Sequence, residues 1–116
     1  MQGMEPDDLV RGHLQELRRG TIVVASLTAL KTPGYGYGLL QTLAEHGFQV
    51  DANTLYPLLR RLEDQGLLTS EWDTAESRPR KFYRTSQEGE SLLSTLLADL
   101  DALRTSLATL TEGVRP

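Results

Sequence analysis

Residues 51–66, DANTLYPLLRRLEDQG, decide the fold. At 100° per residue Leu55, Leu58, Leu59 and Leu62 recur at i, i+3, i+4 and i+7, so the segment reads as an amphipathic helix that packs its leucines inward. The opposite face carries Asn53, Pro57, Arg60 and Arg61, with Thr54 at its edge and Tyr56 on the flank. Short hydrogen-bonding side chains at a helix start, with two arginines further along, suit insertion into a DNA groove. The first residues would meet base edges and the cations would meet phosphates. An ordinary surface helix with its charges outward shares these features, so the neighbouring segments have to decide. Asp51 or Asn53 can cap the helix. Pro57 costs little in a first turn and more in an interior, so the regular helix is expected to start at Asn53 or Thr54, or to kink.

Immediately upstream, residues 37–46 form a short helix with Leu39, Leu40 and Leu43 inward, His46 in its last turn and Gly47 placed to end it. Phe48 and Val50 in the link can plug the gap between helices. Helix, short glycine turn, helix is helix-turn-helix spacing, with 53–65 in the recognition position. Further back, TIVVASLTALK (21–31) is apolar around most of its circumference and reads as the central helix of a small bundle, with Thr21 as its cap and Pro33-Gly34 as its stop. TPGYGYG (32–38) reads as a turn. Its three glycines lack the preceding strand and the spacing of a phosphate-binding loop. Residues 7–18 form a weaker amphipathic helix through Val10, Leu14 and Leu17. His13 on its edge has no second ligand at helical spacing and reads as an ordinary histidine.

Downstream the period changes. LLTSEWD (67–73) and RKFYRTS (80–86) are rich in β-formers and separated by TAESRP, which predicts a β-hairpin directly behind the recognition helix. That order is a winged helix. Arg78, Arg80, Lys81 and Arg84 cluster at the tip and on the returning strand with no acid among residues 78–84, as expected of a basic wing that reaches phosphate or minor groove. Trp72 reads as wing or core packing. Thr85 and Glu88 form a capping box for a last helix to about Thr111. Along it Leu93, Leu96, Leu100, Leu103, Leu107 and Leu110 step by 3 and 4 residues alternately, a coiled-coil seam, widened at its start by Leu92 and Leu97. A helix of about 26 residues, roughly 39 Å, outruns so small a domain. Its outer leucines call for a partner, most simply the same helix of a second copy.

The chain has 116 residues, a net charge of −4 and no cysteine. Such a length makes one modest domain, and the absent thiols exclude disulfides, thiolate metal sites and a cysteine nucleophile. No run of 18 apolar residues is present, and the acidic opening MQGMEPDD does not read as a signal peptide, so a cytoplasmic protein is expected. The acidic balance argues against indiscriminate nucleic-acid binding. Within residues 85–116 five acids face Arg104 and Arg115, a net of −3, while the basic residues gather elsewhere.

LRRGTIVVASLTAL, the GYG turn, NTLYPLLRRLEDQGLL and RKFYRTSQEG together resemble the PadR family of bacterial transcriptional regulators, over about residues 17 to 112. The short form of that family has a winged helix and a single C-terminal helix that forms the homodimer. The resemblance implies a repressor on a pseudo-palindromic operator, released by a small effector. On the matching positions, it implies that Tyr37 makes a phosphate or helix-positioning contact, that Thr54 and Tyr56 open the recognition helix, and that Arg80 and Lys81 form the basic wing. Tyr35 stands where the family often has His, and Asn53 where Gly or Ser is common. Asn53 is a plausible adenine reader.

The fold expected is therefore mainly α with a small β component: a winged helix-turn-helix with a long C-terminal dimerisation helix. Residues 1–20 form an N-terminal helix contributing to the dimer, 21–85 the DNA-binding domain and 86–116 the dimerisation helix. Asn53, Thr54 and Tyr56 would enter the major groove, with Tyr37, Arg60, Arg61, Arg78, Arg80 and Lys81 holding the backbone. The alternative is a winged-helix protein-interaction module that leaves DNA alone. Catalysis is not expected, because His13 and His46 lie apart with no nucleophile, carboxylate pair or metal motif. No cofactor is expected. With no aromatic residue in 85–116, that helix does not supply a sandwich for a flat effector.

Overall fold

Among the described residues five helices and three strands follow one another in the order α1 (Pro6–Arg18), α2 (Thr21–Ala29), β1 (Gly34–Tyr35), α3 (Gly36–Glu45), α4 (Ala52–Asp64), β2 (Leu68–Asp73), β3 (Arg80–Thr85) and α5 (Gln87–Gly113). The computed structural model describes residues 5–114, so the outermost parts of the two terminal segments expected above lie outside it. Leu27, Leu30, Leu39, Leu43, Leu55 and Leu59 are buried at the centre, where α2, α3 and α4 meet. Leu68 and Tyr83 of the hairpin and Leu93 of α5 close the same core. Burying each leucine stabilises by roughly 1.5–3 kcal/mol relative to exposure, which accounts for a leucine-dominated three-helix centre. Phe48 and Val50 pack against it from the link, as their spacing predicts.

Glycine ends both helices of the helix-turn-helix. Gly47 and Gly66 adopt φ of +88° and +79°, and each is followed by a residue whose N–H reaches back to a leucine carbonyl, Phe48 to Leu43 at 2.8 Å and Leu67 to Leu62 at 2.9 Å. This is the left-handed helix stop that an L side chain resists.

The sheet order is β1-β3-β2, all antiparallel, with Leu68 opposite Thr85 and Asp73 opposite Arg80. The glycine turn expected at 32–38 contributes a strand that sequence pattern did not reveal: Gly34 pairs with Tyr83 and Tyr35 with Phe82. Two residues are too short to show alternation, and their pairing depends on β3 arriving from far along the chain.

Two caps differ from expectation. Thr21 does not cap α2. It is the first helical residue, and its hydroxyl donates to the Arg18 carbonyl at 2.6 Å, because α1 runs into α2 through Gly20 with almost no break. At α5 the cap is Ser86, whose Oγ accepts from the Gly89 N–H at 3.0 Å. Thr85 is instead the last residue of β3, buried, with its hydroxyl donating to the Leu27 carbonyl at 2.7 Å.

The chain is elongated. Its radius of gyration is 17.8 Å, against about 13 Å for a compact domain of this size, because α5 and α1 project from the core.

Candidate nucleic-acid interface

The start of α4 is set by Asp51, whose carboxylate accepts from the Thr54 N–H at 2.8 Å. Asp51 rather than Asn53 is therefore the cap, and Asn53, second in the helix, keeps its amide free and exposed. Pro57 is the sixth helical residue, not part of a first turn. It has no N–H to give the Asn53 carbonyl four residues back, so the helix lacks that one regular bond, while the Asn53 side chain presents hydrogen-bonding atoms on the outward face. Four buried leucines on the inner stripe hold the helix despite this loss.

Opposite that stripe lie Asn53, Pro57 and Arg60, all exposed. Thr54 and Arg61 stand on one flank, also exposed, and Tyr56 and Glu63 on the other. Tyr56 is half-buried and lies over Gly36, where an added Cβ would come within 2.5 Å of its Cε1. It thus wedges α4 against the start of α3. Tyr37, exposed at the second position of α3, accepts a hydrogen bond at its hydroxyl from Gln41 Nε2 at 3.3 Å.

The wing, β2 and β3, is pinned at two points. Glu63 of α4 accepts from Lys81 Nζ at 3.0 Å through one carboxylate oxygen and from the Ser70 hydroxyl through the other, so one side chain ties both wing strands to the recognition helix. The Ser70 hydrogen bond, then the Lys81 ammonium, hold the Glu63 carboxyl below the usual carboxylate range, and Glu63 in turn raises the Lys81 pKa. The second point is Tyr35 of β1, whose hydroxyl donates to Asp73 of β2 while the Arg80 guanidinium of β3 sits 4.4 Å from its ring centre. That hydrogen bond raises the Tyr35 pKa and lowers that of Asp73.

Of the basic residues expected on the wing, Lys81 is thus half-buried and turned to Glu63, and Arg80 stacks on Tyr35 with Glu76 at 3.7 Å. Arg78 is exposed in the loop between the strands. Trp72 is not packed: on the same sheet face as Lys81 and directly opposite it in register, it is 64% exposed.

The leucine seam divides. Leu93 belongs to the core of its own chain and is not available to a second copy, because α5 begins against the wing root. Gly89 there lies so close to the Leu67 carbonyl that no side chain fits. Leu96 is half-buried, and Leu100, Leu103, Leu107 and Leu110 are 40–62% exposed. Leu9, Val10, Leu14 and Leu17 of α1 are exposed as well. Among the described residues no cluster of three His, Asp or Glu is placed to hold a metal, and no helix is long and apolar enough to cross a membrane.

Sequence reasoning passed over Glu63, Ser70 and Asp73, and met Tyr35 only as a departure from the family's pattern. Glu63 was visible as the residue seven beyond Tyr56 on the same flank. Its partners depend on strand register, which no local pattern carries.

A helix-turn-helix with a hairpin wing behind it and an unobstructed recognition face is the architecture of a winged-helix transcriptional regulator. Residues 23–95 match the Transcriptional regulator PadR-like family, and the chain belongs to that family. A crystal structure of a PadR family transcriptional regulator from Eggerthella lenta DSM 2243 is similar at a TM-score of 0.87 and 51% identity, over 91% of this chain and 95% of that one. A PadR-like transcription factor from Bacteroides fragilis is similar at a TM-score of 0.73 and 33% identity, over 85% and 98%. Transcriptional regulator Rv3488 of Mycobacterium tuberculosis is 43% identical over 60 residues, which span 52% of this chain and 56% of that protein, a little over half the relative's length. The chain is a PadR-type transcriptional regulator and not an enzyme.

Proposed function

We propose that the protein is a cytoplasmic homodimer that represses transcription by binding a pseudo-palindromic operator, and that a small-molecule effector of unspecified identity releases it. The observation that carries this reading is the outward face of α4. Asn53, Pro57 and Arg60 are exposed on it, with Thr54 and Arg61 beside them. Asn53 offers the donor and acceptor pair that reads adenine in the major groove. Arg60, Arg61 and Arg78 neutralise phosphates, and Tyr37 makes a further backbone contact. Tyr56 serves the site by seating α4 on α3. Lys81 serves it by fixing the wing, and Arg80 reaches the backbone from its platform on Tyr35. The exposed leucines of α5 beyond Leu96, together with those of α1, form the interface between copies. A two-fold dimer then places two recognition helices about one helical turn, ~10 bp, apart.

The test is DNA binding across a salt series, with the fragment upstream of the protein's own gene, duplexes selected from a random pool and a scrambled control, and with dimer mass measured alongside. Retention of selected DNA at salt that abolishes control binding is the expected result. A clean dimer that selects no sequence would sink the reading and favour the protein-interaction module.

A further inference from the structure

We propose a DNA-backbone contact on the flank of the recognition helix opposite the wing, made by Arg18 and Arg19 at the α1–α2 junction together with Arg61 of α4. It rests on the DNA-binding reading above and adds to it an element that the basic stretch 78–84 does not include. An open cleft lies between the end of α1 and the Thr54–Arg61 flank of α4, and Arg11, Arg18, Arg19 and Arg61 all line it. The acid in its wall, Asp51, is committed to capping α4. The junction is stiff: the Arg19 N–H bonds Glu16, the Ile22 N–H bonds Arg19, and Arg18 Nη1 donates to the Gly47 carbonyl at 3.1 Å, fastening α1 to the turn of the helix-turn-helix. Arg11 and Arg19 also pair with Asp8 and Glu16 on their own helix, at 2.8 and 3.0 Å. Those side chains are 52–73% exposed, and exposed pairs of this kind are weak enough to give way to phosphate.

Duplex DNA is the occupant that the charges and the position favour. One wall of the cleft is the flank of the helix that enters the groove, so the strand bordering that groove passes its mouth. A second copy has the exposed leucines of α5 and Leu9, Val10, Leu14 and Leu17 of α1 to cover, and of these Leu14 alone reaches the cleft. Closing an apolar helix over guanidinium groups would strand them without water.

The experiment compares wild-type protein with Arg18→Ala/Arg19→Ala, Arg18→Lys/Arg19→Lys and Arg19→Ala alone, on duplexes that the wild type selects from a random pool and on unselected duplex, from 50 to 200 mM salt. Dimer mass and thermal melting are followed in parallel. Each phosphate contact adds about 0.9 to the salt slope and a homodimer carries each contact twice, so the double alanine variant is expected to lower the slope by about 3.6, with a similar loss of affinity on both DNAs. The lysine variant is expected to restore most of the slope. Arg19→Ala, which leaves the Arg18–Gly47 bond intact, is expected to lower the slope of the dimer by about 1.8 and separates phosphate contact from folding. Unchanged slopes in folded, dimeric variants while the wild type still selects a sequence overturn the proposal and leave the DNA-binding reading standing. A variant that turns monomeric with an unchanged slope assigns the cleft to the second copy and also overturns it. Failure of the wild type to select any sequence removes the reading on which it rests.

Discussion

Lys81 Nζ stands 3.0 Å from Glu63 Oε1, and this contact joins the returning wing strand to the recognition helix. Both side chains are 30% exposed, so the pair is screened but not fully solvated. Its consequence is that both wing strands are tied to α4 through one side chain, with Ser70 as the second tie.

Glu63→Gln is expected to cost about 0.5–1 kcal/mol, the range for a partly exposed ion pair. Because folding lowers the Glu63 pKa, its contribution is complete above the unfolded value, about 4.3, and is lost as pH falls through the folded one. Lys81 is raised, so its contribution holds below about 10.4 and is lost as pH rises through the folded value. Thermal melts of wild type and Glu63→Gln should therefore differ by a constant amount from about pH 5 to 10 and converge at both extremes. A pH-independent difference would show that the charge on Glu63 contributes nothing.

Asn53→Ala is expected to relax sequence preference at one base pair of each half-site by about 1–3 kcal/mol with little change in salt slope. Arg60→Ala, present in both copies of the dimer, should weaken all duplexes alike and lower the slope by about 1.8. Binding titrations on single-base variants of a selected site separate the two. If Arg60→Ala altered preference while Asn53→Ala altered only the slope, the assignment of base and phosphate contacts would be reversed.

The hydroxyls of Ser26 and Thr85 are both buried but have opposite status. Thr85 donates to Leu27, whereas Ser26 Oγ has no partner among the described residues. Thr85→Val should destabilise by about 1–2 kcal/mol, since it leaves a buried carbonyl unmet, and Ser26→Ala should be neutral or mildly stabilising. Urea midpoints measure both.

Gly89→Ala pushes a methyl group against the Leu67 carbonyl oxygen, which is backbone and cannot rotate aside. The expected cost is about 2–3 kcal/mol. Gly36→Ala meets the Tyr56 ring, which can tilt, so about 1–2 kcal/mol is expected there, with weakened DNA binding as α4 shifts. Equal melting temperatures for Gly89→Ala and wild type would contradict the packing at the wing root.

Leu103→Glu combined with Leu107→Glu alters side chains that are 54% and 62% exposed in the single chain, so the core stays intact. Sedimentation should show a monomer whose melting reflects the winged domain alone. A dimer persisting at micromolar concentration would move the interface to α1.

Local pattern determined much of this molecule. The 3.6-residue recurrence of Leu55, Leu58, Leu59 and Leu62 sets which side of α4 faces inward, and therefore leaves Asn53 and Arg60 outside. Gly47 and Gly66 end their helices where an L side chain would resist positive φ. The hairpin follows from two β-rich segments around a Ser-Pro loop, and the long last helix from its leucine spacing. Tertiary structure decided the rest, because it depends on partners far away in the chain. Thr85 could cap a helix or end a strand with equal local fitness, and the Leu27 carbonyl, 58 residues back, made it a strand residue. Gly34 and Tyr35 became a strand when β3 offered them a free edge. The charges on Lys81 and Arg80 were legible as a basic wing, but their direction was not, since Glu63 and Tyr35 meet them only once the sheet is in register. Leu93 and Leu103 occupy the same seam, yet one is buried and the other bare, because the core ends between them.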